Sequence, residues 1–247
     1  MSIVKTVIIT GASSGIGLAL AKAYLELGHN VVGNARTLGR LEAAKSSIGD
    51  PENFLLVAGD IGRAETARRL FDAAIDTYGP VDVLVTNAGS FISKPVGDLT
   101  EEDVDRNIDT NLKGFFYPAQ VASRHMSENG SGHIVAITAC IAMQPNVRLP
   151  ALLPVLLKGG LNHAVRGLAI ELASSNVQVN AVAPGVIDTP LFEGADSDTW
   201  DLLRTLSPTG RTGVPQDVVD AVLYLTGSTY VTGSIMTVDG GSTAGAW

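Results

Sequence analysis

The sequence predicts an α/β protein: a doubly wound parallel sheet of about seven strands in a single domain. Three observations lead there. Seven short apolar, β-branched runs recur along the chain, stretches of helical spacing lie between them, and no internal repeat, low-complexity tract or Pro/Ser-rich linker marks a boundary. A chain of 247 residues is long enough to bury most of the surface its unfolded form exposes.

The strand candidates, in order, are TVIIT (6–10), NVVGNA (30–35), NFLLVAG (53–59), VDVLVTNAG (81–89), GHIVAIT (132–138), VQVNAVAP (177–184) and SIMTVDG (234–240). Between them LALAKAYLEL (18–27), AETARRLFDAAIDTY (64–78) and GGLNHAVRGLAIELA (159–173) place apolar residues three and four apart, the helical period. Strands alternating with helices imply right-handed crossovers and a sheet covered on both faces. Such sheets bind ligands beyond the carboxyl ends of their strands, so the loops after each strand are where chemistry is expected.

Composition narrows the function classes. With 45% hydrophobic and 17% charged residues the chain is expected to fold rather than stay disordered. Its net charge of -8 argues against nucleic acid and anionic membranes as partners, since both need a concentrated basic surface. The single cysteine, Cys140, cannot form an intramolecular disulfide or a Cys-rich metal site, and His29, His125, His133 and His163 show no ligand spacing. The expectation is a reducing, cytoplasmic setting and no metal. The opening MSIVKTVIIT leads straight into a glycine-rich turn and reads as the first strand, not a signal peptide. No run approaches the roughly 20 apolar residues that span a bilayer.

That turn is TGASSGIG, residues 10–17. Gly11, Gly15 and Gly17 follow a strand and open a helix, which allows a tight bend, close approach of a pyrophosphate to backbone N–H groups, and close packing of helix on strand. The alternative is a turn that merely needs positive φ; the strand before and the helix after weigh against it.

With NAG at Asn87–Gly89, Asn111 in NLKG, Pro184 and Gly185 with Thr189 after them, and VDGG at Val238–Gly241, the glycine turn makes five motifs in one order. Together they make the chain resemble the classical short-chain dehydrogenase/reductases essentially end to end. The resemblance implies a Rossmann-type domain that binds NAD(P) through Gly11, Ser13, Ser14, Gly15, Ile16 and Gly17, with Asn87, Ala88 and Gly89 near the cofactor and sheet centre. It also implies Asp60 and Ile61 at the adenine, Pro184, Gly185, Ile187 and Thr189 toward the nicotinamide, a small substrate lid around 188–212, and a homotetramer or at least a dimer. Trp247, at the end of the apolar stretch GSIMTVDGGSTAGAW, would otherwise be exposed.

Charge selects the dinucleotide. A site for NAD usually ends its second strand with an acidic residue that accepts from the ribose 2′-hydroxyl. Here Ala35 stands at that place and Arg36 follows it, so NADP(H) is expected, unless Arg36 is an ordinary solvated charge.

The family's proton machinery is half absent. The family pattern has a Tyr that donates a proton to the carbonyl oxygen, a Lys four residues later, an orienting Ser about a dozen residues before the Tyr, and an Asn that anchors a water relay. Asn111 and Lys158 match as catalytic candidates. Four residues before Lys158, however, stands Pro154, and no tyrosine occurs between Tyr117 and Tyr224. Aligned on GHIVAIT, the serine position falls on Ala139; counted back from Lys158 it falls on Ile141. Strand alternation turns Thr138 and Cys140 away from that face. Pro150 and Pro154 fit the first turn of a helix, where a missing N–H costs little.

Several residues keep a plainer reading beside the chemical one. Lys158 is either catalytic or simply a cofactor-binding lysine, and Asn111 either anchors a relay or bridges backbone groups at a helix kink. Cys140 reads as a packing residue rather than a nucleophile. Arg148 either holds a substrate oxygen or carboxylate or is a solvated loop charge. Leu149, Leu152, Leu153, Val155 and Leu156 surround the gap and suggest a bulky, small-molecule apolar substrate.

Losing a general acid should cost a large part of the roughly 10²- to 10⁴-fold it supplies to carbonyl reduction. The expected activity is therefore NADPH-dependent reduction of an unusual apolar acceptor: an iminium, an activated alkene or an activated ketone. The alternatives are a redox-silent cyclase or isomerase on a reductase scaffold, or a non-catalytic NADP-binding sensor or subunit.

Overall fold

The structure, a computed structural model, describes residues 3–245. Seven strands form one parallel sheet: β1 (Thr6–Thr10), β2 (Asn30–Ala35), β3 (Phe54–Ala58), β4 (Val83–Thr86), β5 (Gly132–Ile137), β6 (Val177–Pro184) and β7 (Ile235–Val238). Their order across the sheet is β3-β2-β1-β4-β5-β6-β7. The chain winds outward from β1 to one edge, then returns to β4 and winds to the other, so the crevice between the ends of β1 and β4 is the switch point where such sheets hold ligands.

Among the described residues six α-helices pack on the sheet, α1 (Gly15–Glu26), α2 (Leu38–Ser47), α3 (Ala64–Tyr78), α5 (Gly114–Asn129), α6 (Leu152–Leu172) and α8 (Pro215–Gly227), while the short α4 (Glu101–Asn107) and α7 (Ser197–Arg204) lie off it. Strand alternation feeds two cores. Val7 and Ile9 pack with Leu20, Tyr24, Val218 and Leu225 on the α1/α8 face, while Ile8 packs with Leu70, Phe71, Phe115 and Val165 on the α3/α5/α6 face. Each such apolar side chain is worth about 1.5–3 kcal/mol when fully buried. On the first face the Tyr24 and Thr226 hydroxyls meet at 2.8 Å and tie α1 to α8.

Several boundaries differ from those expected. β4 stops at Thr86 because Asn87 N bonds Val85 O and Thr10 Oγ1, which turns NAG out of the sheet. The helix expected at 159 begins at Leu152, with Ala151 as its cap and Val155 N donating to Ala151 O. Pro154 is thus the third residue of α6, where its absent N–H forfeits no helical bond, whereas Pro150 lies before the cap and outside the helix. Between α4 and α5, residues Ile108–Lys113 form a π-helical turn, a feature found mostly at functional sites. No described helix is long and apolar enough to cross a membrane.

Candidate active site

The glycine turn from β1 to α1 is held open by backbone geometry. Gly11 and Gly15 have φ of 69° and 53°, in the left-handed region that favours glycine. At Gly17 a Cβ would collide with Gly11 O and stand 2.5 Å from Asn87 Nδ2. Asn87 spends its amide on this loop, donating to Thr10 O at 3.0 Å and Gly11 O at 3.3 Å. Thr10 Oγ1 accepts from both Asn87 N and Ala88 N at 3.0 Å. Ser13 and Ser14 are half-buried, and Ser14 caps α1 without a side-chain hydrogen bond. Bare backbone, two small side chains and the positive end of a twelve-residue helix fit a dinucleotide diphosphate.

At the next strand tips Asn34 Nδ2 donates to Val57 O and Gly59 O, which pins β2 to β3. Arg36 extends from the end of β2, exposed and in no ion pair among the described residues. Asp60 Oδ1 accepts from Gly62 N at 2.9 Å, with Arg63 at 3.8 Å from its other oxygen. The Ile61 side chain is buried in the core, so that pair offers a nucleotide the Asp60 carboxylate and the local backbone.

Lys158 and Asn111 meet at Gly89. A Cβ added there would lie 3.1 Å from Asn111 Oδ1 and 3.3 Å from Lys158 Nζ. Lys158 Nζ is buried and donates to Ile137 O at 2.9 Å; burial pulls its pKa from 10.5 down to about 8. Asn111 lies on the π-helical turn, where its Oδ1 accepts from Ser90 N at 3.2 Å and its Nδ2 donates to Ser90 O at 3.0 Å. It therefore bridges the Ser90 backbone groups where the helix is distorted.

Gly89, Ser90 and Lys158 border an open cleft of about 380 Å³ beyond the strand ends. Ile16, Asn87, Gly89, Lys158, Ile187 and Thr189 all line it. Thr189 also packs over the glycine turn: a Cβ on Gly15 would lie 3.2 Å from its Cβ. Gly185 approaches Asp239, whose Cα would be 2.9 Å from an added Cβ, and its N–H donates to Val238 O.

The walls correct two expectations. Thr138 and Cys140 both border the cleft with Ala139, because β5 ends at Ile137 and the 3-10 turn Cys140–Ala142 breaks the alternation that would have separated them. Cys140 remains a thiol: burial, aided by the charge of Asp239, pushes its pKa up to about 12. Of the five residues expected to make the wall greasy only Leu149 lines it, since α6 sends Leu153 inward and Leu152 and Leu156 outward. The apolar lining comes instead from Leu191, Phe192, Leu203 and Leu206, which sequence spacing did not single out. Their segment is pinched at its base by the Ile187–Gly213 bridge, with Asp188 N donating to Gly213 O and Gly213 N to Val186 O.

A family model described as enoyl-(acyl carrier protein) reductase matches residues 11–243. The chain belongs to the short-chain dehydrogenase/reductase family. A cis-4-hydroxycyclohexanecarboxylate dehydrogenase of Sinomonas cyclohexanicum from this family is 34% identical over 245 residues, covering 97% of each chain. The crystal structure of a short-chain type dehydrogenase/reductase from Mycobacterium marinum has a TM-score of 0.92 and 33% identity, covering 98% of this chain and 96% of that one. ElxO with NADP bound has a TM-score of 0.91 and 25% identity, over 98% and 100% of the two chains. The chain is thus a family oxidoreductase by sequence and fold; within that family Pro154 is buried beside Lys158, and no tyrosine borders the cleft among the described residues.

Proposed function

We propose that this member of the family is an NADPH-dependent reductase of an apolar acceptor whose reduction needs no phenolic proton donor. The observation that carries it is Pro154 one helical turn before Lys158, with the glycine cradle for the cofactor complete. The cleft's charge orders the acceptors: Lys158 and Arg148 line it and no Asp or Glu does, which disfavours an iminium cation. An alkene conjugated to a carbonyl, or an activated ketone, fits better, and the first agrees with the enoyl reductase description of the matching family model.

The bound cofactor would contribute hydride donation. The glycine turn with Ser13, Ser14 and Ile16 would hold its diphosphate, Arg36 the 2′-phosphate, Asp60 and Ile61 the adenine end, Lys158 the nicotinamide ribose, and Pro184, Gly185, Ile187 and Thr189 the nicotinamide amide. Asn111, through Ser90, keeps Ala88 and Gly89 in place beneath it. Residues 188–212 form a lid that shields the acceptor from water with its apolar face. The charge left on an enolate oxygen is quenched by a proton from water. That ElxO is solved with NADP, and a tyrosine-to-phenylalanine variant of it with NADPH, supports the same cofactor here.

The exposed pairs Leu112 and Phe116, and Leu152 and Leu156, support assembly into a dimer or tetramer; Trp247 lies outside the described residues. A monomeric mass by light scattering at micromolar concentration contradicts it. The single cysteine suits a cytoplasmic setting.

The test is a screen of simple ketones, activated ketones, enones and iminium ions with NADPH, read by loss of reduced-cofactor absorbance. Enones or activated ketones should turn over and simple ketones should not. Reduction of simple ketones at ordinary rates overturns the proposal.

A further inference from the structure

In a chain of net charge -8, the candidate cleft is bordered by two cations and no carboxylate. Lys158 sits at its floor. Arg148 belongs to the loop between β5 and α6, and its Nη1 donates to Thr205 Oγ1, just past α7, at 3.0 Å. The Thr205 hydroxyl itself donates to Leu202 O at 2.7 Å. The loop is set by Asn146 Oδ1, which accepts from Arg148 N at 2.9 Å. Arg148 therefore links two walls of the cleft through a neutral partner, and no carboxylate pairs with its guanidinium among the described residues. Asp239, close enough to raise the Cys140 pKa, spends its oxygens on Gly241 N and on the N–H and hydroxyl of Thr243.

A guanidinium has five N–H donors in a planar fork that matches a carboxylate, and a single neutral hydroxyl leaves most of them unused. The same cleft is lined by Leu149, Leu191, Phe192, Leu203 and Leu206, which offer an apolar body a matching surface. The cofactor's own anionic groups have other hosts: the start of α1 for the diphosphate and Arg36 for the 2′-phosphate. We propose that Arg148 is the anion anchor of the substrate end, so that the acceptor is an apolar molecule carrying a carboxylate. This rests on the reductase reading above for its chemistry, though not for its binding.

The test separates the two. Benzoylpropionate and its amide are titrated calorimetrically into the NADP+-loaded protein, its Arg148→Ala and Arg148→Lys variants, and benzoylacrylate is supplied with NADPH. The carboxylate should bind at least about tenfold tighter than the amide, or about 1.4 kcal/mol. Arg148→Ala should cut that ratio below about twofold, and Arg148→Lys should keep part of it. Because Arg148 is exposed, unchanged circular dichroism and urea midpoints should certify both folds. A ratio near one in the parent, a ratio that survives in Arg148→Ala, an equal loss of NADP+ affinity in that variant, or no binding of either ligand overturns the proposal. If the carboxylate preference is present and benzoylacrylate is not reduced, the anchor stands and the reductase reading falls.

Discussion

Pro154 and Lys158 stand one turn apart on α6, both buried, and only the lysine reaches the cleft. The helix accepts the proline at no cost in hydrogen bonds because it falls in the first turn. Pro154 thus belongs to a well-formed helix start rather than to a damaged one, and the consequences for the proposed reduction can be measured.

Restoring the family's groups should do little. Ala139→Ser with Pro154→Tyr adds a hydroxyl at the cleft wall and a phenol at a buried position, where the extra volume costs about 1–3 kcal/mol. Ketone reduction should rise only weakly above the parent, because a misplacement of an ångström forfeits much of the gain. A gain of about a thousandfold in kcat/KM for a simple ketone would show that the two residues alone were lacking.

Lys158 should act through the cofactor. Lys158→Ala should raise the NADPH dissociation constant while turnover at saturating NADPH falls by less than about tenfold, since general acid catalysis supplies more than that where it operates. Abolished turnover at saturation would assign the lysine a role in the chemical step. In the parent, NADPH affinity should weaken as pH rises through about 8, where the buried ammonium loses its charge.

The same lysine shapes stability. Its pKa is about 8 in the folded chain against 10.5 in the unfolded one, so between those values the unfolded state binds more protons and stability rises with pH. Below pH 8 the penalty of burying the charge is at its full, constant size. Urea unfolding across this window should show the rise in the parent and a flatter profile in Lys158→Met; identical slopes would contradict it.

Arg36 should set dinucleotide choice. The parent is expected to bind NADPH at least about tenfold tighter than NADH, roughly 1.4 kcal/mol, and Arg36→Ala should remove most of that margin. Equal affinities in the parent, by calorimetry, would return Arg36 to an ordinary surface charge.

Gly17→Ala should be the most damaging single change in the cofactor cradle. Its Cβ would meet the Gly11 carbonyl, which is backbone and cannot swing aside. Cofactor affinity should fall by more than about tenfold, with a loss of stability of the 1–3 kcal/mol typical of overpacking. Gly28→Ala, where nothing lies within 4 Å but φ is 79°, should lower stability and leave cofactor affinity alone.

Local pattern was enough to place β1, β2, β6 and α3 at their observed residues, because a continuous apolar, β-branched run and three-to-four spacing are properties of contiguous sequence. The glycine turn was legible for the same kind of reason: positive φ at Gly11 and Gly15 favours glycine, and the close approach at Gly17 leaves no room for a Cβ. Family motifs named Lys158, Asn111 and Gly89 separately, and the fold is what brings the first two within reach of the third. What sequence order could not convey was which far-separated groups would meet. Asn87 bonds Thr10 and Gly11 across the switch point, Arg148 reaches Thr205 fifty-seven positions along, and the apolar wall comes from 188–212 instead of the leucines beside Lys158. Those outcomes depend on how the sheet brings loop ends together and on how a helix distributes neighbouring leucines around its axis, and both are settled by packing in three dimensions.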